Sequence, residues 1–412
     1  MIFPSICRLL IPHRLNGLRK VYLVLVVSTM CLFTTTGCWD SNELNDVAFI
    51  IGTGLDKLEN GEFIASVQLA DPSTGQSSDS GKASGDTGGY RVEEAQGKDL
   101  SDALANVQDQ LPRRLITGHR QAIVVGEKLA RSGIRAYLDE FVRNPKNSLR
   151  TNLFIIKEMT ADDFLKNRYA FETFSAIAAG DENRFLSTNE TTLRDFLFDA
   201  MSDATCPTLP VIDIRTGSST PSADQQSQSV ESPSFSISTA IFSRDLKLQG
   251  YLTGEQSLLY LWGVNKLKRV TLTEPILSGG LISLKMTQLR SNIRVSTQGG
   301  DITAYVTLCG KGTVIENHTQ LSPAKLTDVD VIEQKLNANI SQSMRQLILR
   351  ARDQYKADIF GFGEAVHRSD PGVWRNLKGN WPTEFSRVNV IVQTDVSILH
   401  GGDLKTGQLF TG

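Results

Sequence analysis

Few titratable side chains in this sequence stand at spacings that catalysis or metal binding would use. Of the five histidines, His367 alone lies at a metal-ligand interval, three residues after Glu364. A carboxylate and an imidazole at that spacing share one helical face, and carboxylate-bridged diiron bundles need two such motifs. Adjacent acids such as Asp139-Glu140 diverge on a helix, whereas glycosidase carboxylates converge across a substrate. We therefore expect no metal, cofactor or catalytic residue, a packed helix around Glu364 and His367, and solvated surface acids.

Two glycine motifs invite comparison with nucleotide-binding turns. Gly52-Thr53-Gly54 and Gly361-Phe362-Gly363 both lack the third glycine of a dinucleotide fingerprint. The sequence also contains no Gly-x-Ser-x-Gly elbow and no phosphate-binding Gly-x-x-x-x-Gly-Lys-Ser/Thr loop. We expect both glycine pairs to permit close backbone packing.

The thiol with a clear chemical role is that of Cys38. A basic, acid-free segment precedes an apolar run from Val21 to Phe33, which closes on the small residues Thr34 to Gly37 and then on Cys38. Charged region, short apolar core and small residues are the parts of a secretory signal. A cysteine directly after them is typical of a bacterial lipoprotein, in which the thiol takes a diacylglyceryl group and becomes the first mature residue.

This pattern predicts a lipoprotein signal peptide at 1–37 and lipid attachment at Cys38. Thr35 stands where such signals usually carry leucine. Each buried methylene contributes about 0.8 kcal/mol, so two or three acyl chains hold a protein at a membrane durably. An uncleaved signal anchor and a plain secretory signal are the alternatives. Cys206 and Cys309 would then be the remaining free thiols; they could pair, but two separate core residues are favoured.

Charge and length exclude several classes of protein. The 412 residues carry 43 basic and 45 acidic side chains, and no run of 18 to 20 uncharged apolar residues occurs. Removal of 1–37, with four basic residues and no acid, leaves 39 basic and 45 acidic side chains, a net charge of −6. Such a body has no overall attraction for nucleic acid.

The pattern of hydrophobic residues predicts an α+β, multi-domain fold of mixed sheets with packed helices. Strand-like and helix-like segments alternate through the first part, including a strand over Arg114–Val125 and a helix over Gly126–Val142. Polar tracts at 72–89 and 215–233 predict a mobile insertion and an interdomain linker. The expected regions are an N-terminal α/β region at 38–214, the linker at 215–233, a C-terminal α+β domain at 234–402 and a tail at 403–412. The N-terminal region is expected as one domain or as two subdomains.

The C-terminal domain is expected to be an antiparallel-rich sheet against one long helix. A hairpin flanks Ser243-Arg244-Asp245, and apolar residues recur every three or four places from Val329 to Tyr355. Trp374 to Trp381 reads as a loop whose tryptophans pack at the core edge, and Val388 to Leu399 alternates like a closing strand.

Three sequence blocks resemble one family. They are Gly37-Cys38-Trp39-Asp40 with the following Gly52-x-Gly54-x-Asp56 strand, Gly118-His119-Arg120 through Ile134 and on to Arg143–Arg150, and Asp358-Ile359-Phe360-Gly361-Phe362-Gly363 through Arg368. Their order and spacing are similar to those of the Ger(x)C family, the lipoprotein subunit of spore germinant receptors. The resemblance reaches from Cys38 to about His400.

The resemblance implies a non-enzymatic subunit tethered by lipid to the extracytoplasmic face of the membrane, in the spore the outer face of the inner membrane. It also implies two integral membrane subunits as partners and a part in nutrient-triggered germination. Whether this subunit itself binds the germinant is left open. A solute-binding lipoprotein of a transporter, with two lobes and a hinge, is the main alternative; a wall hydrolase would need converging acids or a metal site.

Overall fold

The computed structural model describes eight stretches of the chain, and the chain divides between Val47 and Ala48 into two units. The described residues are 17–34, 46–70, 89–169, 172–187, 191–215, 234–276, 279–297 and 301–399. Cys38, residues 72–88 of the expected insertion (72–89), residues 216–233 of the polar tract (215–233) and the tail at 403–412 therefore lie outside them.

The first unit contains helix α1, Gly17–Thr34, which covers the apolar part of the expected signal peptide. Its side chains from Val21 to Met30 are exposed. Among the helices of the described residues, none is long and apolar enough to cross a membrane.

The second unit is built on a large mixed sheet. Within the described residues nine strands form it, in the order β3-β2-β1-β5-β6-β7-β8-β9, with β4 paired to β1. The strands are β1 Val47–Lys57, β2 Phe63–Ala70, β3 Tyr90–Gly97, β4 Arg114–Ile116, β5 Ala122–Gly126, β6 Asn152–Ile156, β7 Thr208–Arg215, β8 Ser234–Phe242 and β9 Leu248–Leu252. Strands β1, β5, β6 and β7 run parallel, and the flanking strands pair antiparallel.

Helices cover both faces of the parallel strands. They are α2 Leu100–Asp109, α3 Glu127–Ser132, α4 Arg135–Arg143, α5 Ala161–Lys166, α6 Ser175–Leu186 and α7 Leu193–Met201. Alternate residues of β5 and β6 pack against α2, α3, α4 and α7 on one face and against α5 and α6 on the other. Every residue of β5 and β6 is buried, which explains why both strands are apolar without alternation.

Two expected elements are each divided in the structure. The strand expected over Arg114–Val125 is interrupted between β4 and β5, where the Arg120 amide donates to the Thr117 carbonyl. The helix expected over Gly126–Val142 ends at Gly133, whose φ of +110° is unfavourable for other residues, and resumes as α4.

The polar tract at 215–233, expected as the interdomain linker, joins two strands that pair with each other. Strands β7 and β8 pair antiparallel from Thr208↔Ile241 to Arg215↔Ser234. The tract thus connects two neighbouring strands of one sheet, and the hairpin formed by β8 and β9 extends that sheet. The polar composition of the tract carries no information about pairing of the strands on either side.

The remaining chain forms a second sheet with one long helix, as expected. The elements are α8 Glu255–Gly263, β10 Val270–Ile276, β11 Gly280–Ser296, β12 Thr303–Asn317, α9 Leu326–Asp353, α10 Phe362–Ser369, α11 Pro371–Leu377, α12 Trp381–Phe385 and β13 Asn389–Ile398. The sheet order is β10-β11-β12-β13, antiparallel except for β12 and β13. The 28 residues of α9 give a helix of about 42 Å, which buries Ile332, Leu336 and Ile340 against the sheet. This confirms the predicted α+β class.

The loop expected from Trp374 to Trp381 is instead helical. Asp370 caps α11 by accepting from the amides of Gly372 and Val373, a short 3-10 turn follows, and α12 begins at Trp381. Pro371 and Pro382 lie in the first turns of their helices, where a missing N–H costs no hydrogen bond. The loop expected over this segment therefore overlooked two helix starts that proline is compatible with.

Candidate functional site

The predicted lipid-attachment residue, Cys38, lies outside the described residues, so that assignment stays a prediction. The structure does describe the later motif blocks. The side chains of these blocks are the candidate groups for a ligand or a substrate.

Gly52 and Gly54 bring β1 against the helices on one face of the sheet. An added Cβ at Gly52 would lie 2.8 Å from the Cβ of Ala176 and 2.9 Å from Cδ2 of Leu165. At Gly54 it would lie 3.1 Å from the Cβ of Ala161. Real Cβ atoms rarely tolerate such distances, so this confirms the close-packing role expected for the first glycine pair.

Asp56 follows these glycines and holds the start of α5. Its Oδ1 accepts from the Ala161 amide at 3.0 Å and its Oδ2 from the Asp162 amide at 3.1 Å. Burial raises the pKa of the Asp56 carboxyl to about 6, against the two backbone hydrogen bonds that favour the charged form. Both carboxylate oxygens are engaged, so the last residue of the Gly-x-Gly-x-Asp motif joins a strand to a helix.

The Gly118-His119-Arg120 block lies before β5. The exposed His119 ring meets the ring of Phe49 edge-on at 4.9 Å. Arg120 is 4% exposed, lies 5.0 Å over the Phe141 ring, and donates from Nη1 to Oδ1 of Asn147 at 3.1 Å. Its Nε and Nη2 have no hydrogen-bond partner among the described residues, and burial lowers the pKa of its guanidinium to about 10.

Asp358 is the most heavily engaged side chain of the third block. Its Oδ1 accepts from the amides of Gly361 and Phe362 at 2.8 and 3.0 Å. Its Oδ2 accepts from the Gly363 amide at 2.8 Å and from Nε1 of Trp381 at 3.1 Å. The side chain is buried, and burial raises the pKa of the Asp358 carboxyl while the four donors oppose that rise. We call this arrangement the Asp358 clamp.

The same block contacts a segment that precedes β7. The Cys206 amide donates to the Asp358 carbonyl at 2.8 Å, and the Ser202 hydroxyl donates to Oε1 of Glu364 at 2.8 Å. An added Cβ at Gly363 would lie 2.6 Å from the Cβ of Ala204. The glycine is therefore required by a close approach, as expected for the second glycine pair.

Glu364 and His367 share helix α10 but do not converge. Glu364 accepts from Ser202, while the His367 ring stacks on Trp374 with centroids 5.9 Å apart. In the described part of the chain, no three histidine, cysteine, aspartate or glutamate side chains are grouped to hold a metal ion. Glu364 and His367 thus pack helix α10 against two different segments of the chain.

Two cysteines and two tryptophans singled out in the sequence have structural positions. Cys206 is buried and Cys309 half-buried, and both are free thiols, so the separate placement favoured from the sequence is confirmed. Burial raises the pKa of the Cys206 thiol to about 11. Trp374 and Trp381 are 4% and 1% exposed, and their rings meet edge-on within the core.

A cavity of about 270 Å³ lies among α2, β4 and α4. Its lining is mixed, and Glu140 is the charged residue that the described chain contributes to it. Glu140 already accepts from Nδ2 of Asn144 at 2.9 Å and from Nδ2 of Asn147 at 3.1 Å. The cavity therefore lacks a set of converging groups for catalysis.

Family models match both halves of the chain. The model described as spore germination protein N-terminal domain matches residues 40–214, and the one described as spore germination B3/GerAC-like, C-terminal, matches residues 237–402. The two matches stand on either side of the polar tract.

Two germination proteins are similar to this chain over most of its length. YfkR of Bacillus subtilis (strain 168) is 25% identical over 388 residues, covering 94% of this chain and 98% of YfkR. Spore germination protein KC of the same strain is 21% identical over 378 residues, covering 88% of this chain and 91% of that protein.

A solved structure shares the fold. The crystal structure of the GerBC protein superposes with a TM-score of 0.56 at 15% sequence identity, covering 87% of this chain and all of GerBC. Because the two domain models together match most of the chain, in the order and at the motif blocks described above, the chain belongs to the GerAC-like family of spore germination proteins.

Proposed function

We propose that this protein is a lipid-anchored, non-enzymatic subunit of a nutrient germinant receptor, held at the extracytoplasmic face of the membrane. One observation carries the proposal. The match to a spore germination domain begins at residue 40, two residues after a cysteine that closes a lipoprotein-type signal sequence. The adjacency of the match and the signal pattern supports an exported germination domain that follows directly on a lipid anchor.

Contact with integral membrane subunits would supply the mechanism. A tether confines the body to a thin layer beside the bilayer, which raises its effective concentration to the millimolar range for short linkers. Contacts too weak for free proteins become sufficient under that condition. We propose two integral membrane germinant-receptor subunits as the partners, and in the spore the outer face of the inner membrane as the location.

The engagement of the motif side chains supports a non-enzymatic role. Asp56, Asp358 and Glu364 each accept hydrogen bonds from their own chain. A general acid or base must instead reach a substrate atom within hydrogen-bond distance. The polar groups of these motifs thus act in holding elements together.

Matched cysteine variants test the anchor. Cys38→Ala removes the expected acylation site, and Cys31→Ala changes a cysteine within the signal segment as the control. Under metabolic labelling with a palmitate analogue, we expect label on the wild type and on Cys31→Ala and none on Cys38→Ala. Equal label on both variants would contradict the assignment of Cys38.

Spore physiology and purification test the receptor role. Deletion is expected to abolish nutrient-triggered germination and to leave dodecylamine-triggered germination intact, with rescue by the wild-type gene. Purification from detergent-solubilised spore membranes is expected to recover two polytopic subunits. Recovery of an ATPase and a permease would identify a transporter lipoprotein and overturn the proposal.

A further inference from the structure

Two connecting segments at one edge of the large sheet, which we call loops although the first contains β4, carry an excess of positive charge. Residues 110–121 contain Arg113, Arg114 and Arg120, and residues 143–151 contain Arg143, Lys146 and Arg150. Neither loop contains an aspartate or a glutamate. The exported body as a whole is acidic, so this concentration of basic residues opposes the overall charge.

The fold brings these two loops together. They precede β5 and β6, neighbouring parallel strands, so both lie at the edge of the sheet where these strands begin. The Thr117 hydroxyl donates to the Lys146 carbonyl at 3.3 Å, and the Arg120 guanidinium bonds Asn147. The two loops therefore form one surface, which we call the basic edge.

Four basic side chains of the basic edge are available to a partner. Arg120 is buried, and Arg143 pairs with Asp139 at 2.5 Å. Arg113, Arg114, Lys146 and Arg150 form no ion pair with a described residue, and the last three are exposed. The neighbouring acid Glu140 is turned toward Asn144 and Asn147.

Exposed apolar side chains accompany these charges. Val142 at the end of α4 is 53% exposed, and Leu149 within the second loop is 39% exposed. Basic residues interleaved with exposed aliphatic ones suit a bilayer interface, where the charges meet anionic headgroups and the apolar groups enter the headgroup boundary.

The start of β1 lies at the same edge. The ring of Phe49, beside Ala48, contacts the ring of His119 from the first loop. Ala48 lies ten positions after Cys38, and a chain of ten residues spans at most about 36 Å. A lipid on Cys38 would thus keep this edge within reach of the bilayer that holds the lipid.

We propose that the basic edge is the membrane-facing surface of the protein and binds anionic phospholipid headgroups, so that the body is oriented by a second contact besides the lipid on Cys38. This inference rests on the proposed anchoring at Cys38. The charge excess, the contact between the loops and the short chain length from Cys38 to β1 all favour the same edge as the one that faces a negatively charged bilayer.

Vesicle binding of the full chain tests the proposal. All variants carry Cys38→Ala so that no acyl chain contributes, and residues 1–37 are common to them. The test variant is R113Q/R114Q/K146Q/R150Q; the control, K285Q/R290Q/R294Q/K311Q, removes the same charge from exposed positions on β11 and β12. A basic residue near an anionic surface is worth about fivefold in partitioning at 25 °C.

We expect the test variant to partition at least tenfold less than its parent into vesicles of 30% phosphatidylglycerol in phosphatidylcholine. The control is expected to stay within about twofold, and the parent's advantage to vanish on phosphatidylcholine alone and in 0.5 M salt. A lysine variant, R113K/R114K/R150K, should bind like the parent, which separates charge from folding.

Equal losses in test and control variants would overturn the proposal. Unchanged vesicle binding by the test variant, combined with lost co-purification of membrane subunits, would assign the edge to a protein partner and likewise overturn it. Palmitate-analogue label on Cys38 reports separately on the anchor. If the wild type carries label but the test variant binds vesicles like its parent, the membrane-facing edge alone is refuted. If the wild type carries no label, the proposed anchor is refuted whatever the vesicle result.

Discussion

The Asp358 clamp yields a sharp prediction, because its four donors divide equally between the two carboxylate oxygens. Asp358→Asn keeps the shape and replaces one oxygen by an NH2 group. In either amide orientation, two of the four N–H donors then face another donor instead of an acceptor. The variant therefore leaves two buried N–H groups without a partner.

The expected magnitude follows from those two groups. A buried donor left unpaired costs about 1–3 kcal/mol, so two cost about 2–6 kcal/mol. Burial raises the pKa of the Asp358 carboxyl, which means that the charged form is itself costly to bury, and the neutral amide recovers part of that cost. We expect a net destabilisation of about 3 kcal/mol.

Asp370→Asn is the matched control. Asp370 also caps a helix and accepts from two amides, but both bonds use Oδ1, so the amide oxygen of asparagine can replace them. Asparagine and aspartate cap helices about equally well, and we expect a change below about 0.5 kcal/mol.

Urea unfolding followed by tryptophan fluorescence measures both variants, because Trp381 and Trp374 lie beside the clamp. Trp381→Phe, which removes one donor, should cost about 1 kcal/mol for its hydrogen bond. A midpoint for Asp358→Asn as high as that for Asp370→Asn would refute the reasoning, since it would mean that the donors find other acceptors.

Three further outcomes are expected. Gly363→Ala should lower stability by about 1–3 kcal/mol because its Cβ would lie 2.6 Å from another Cβ, while Gly379→Ala, with no atom within 4 Å, should be neutral in the same urea titration. Burial raises the pKa of Asp56 to about 6, so the folded chain binds that proton more tightly than the unfolded chain. As pH rises from about 4 through 6, the wild type should therefore lose about 3 kcal/mol of unfolding free energy relative to Asp56→Asn. A stability difference that does not depend on pH would contradict this. Native alkylation at pH 8 with peptide mapping should modify Cys309 and spare Cys206 until urea is added, since the Cys206 thiol is buried and its pKa is raised to about 11.

The sequence predicted those elements whose burial follows a single period. Helix α9 buries residues every three or four places, and β13 buries alternate ones, so both were visible as patterns. The division of the chain into two sheets was not predicted. Pairing of β7 with β8 is a long-range choice, and the polar tract between them is equally compatible with a linker and with a connection within one sheet.

The motif residues were visible, but their partners were not. Asp358 is one acid in a Gly- and Phe-rich segment, and its sequence neighbours explain only the three backbone donors. The fourth donor, Trp381, is 23 residues away and belongs to a segment expected to be a loop. An Asp followed by Gly-x-Gly before a helix is the local signal that could have indicated a cap at this position.

The segment around the clamp joins the two regions that are matched by separate family models. Residues 202–206 belong to the first matched region, and the clamp belongs to the second. They are joined by the bonds from the Cys206 amide to the Asp358 carbonyl and from Ser202 to Glu364. Strand pairing between β7 and β8 joins the same regions a second time.

Two joints of this kind oppose a hinge, because rotation about the first would break hydrogen bonds at the second. A hinged solute-binding lobe needs a junction at which a few residues can flex. A scaffold that transmits contact needs a rigid junction. The double junction therefore favours a rigid body over a hinged one.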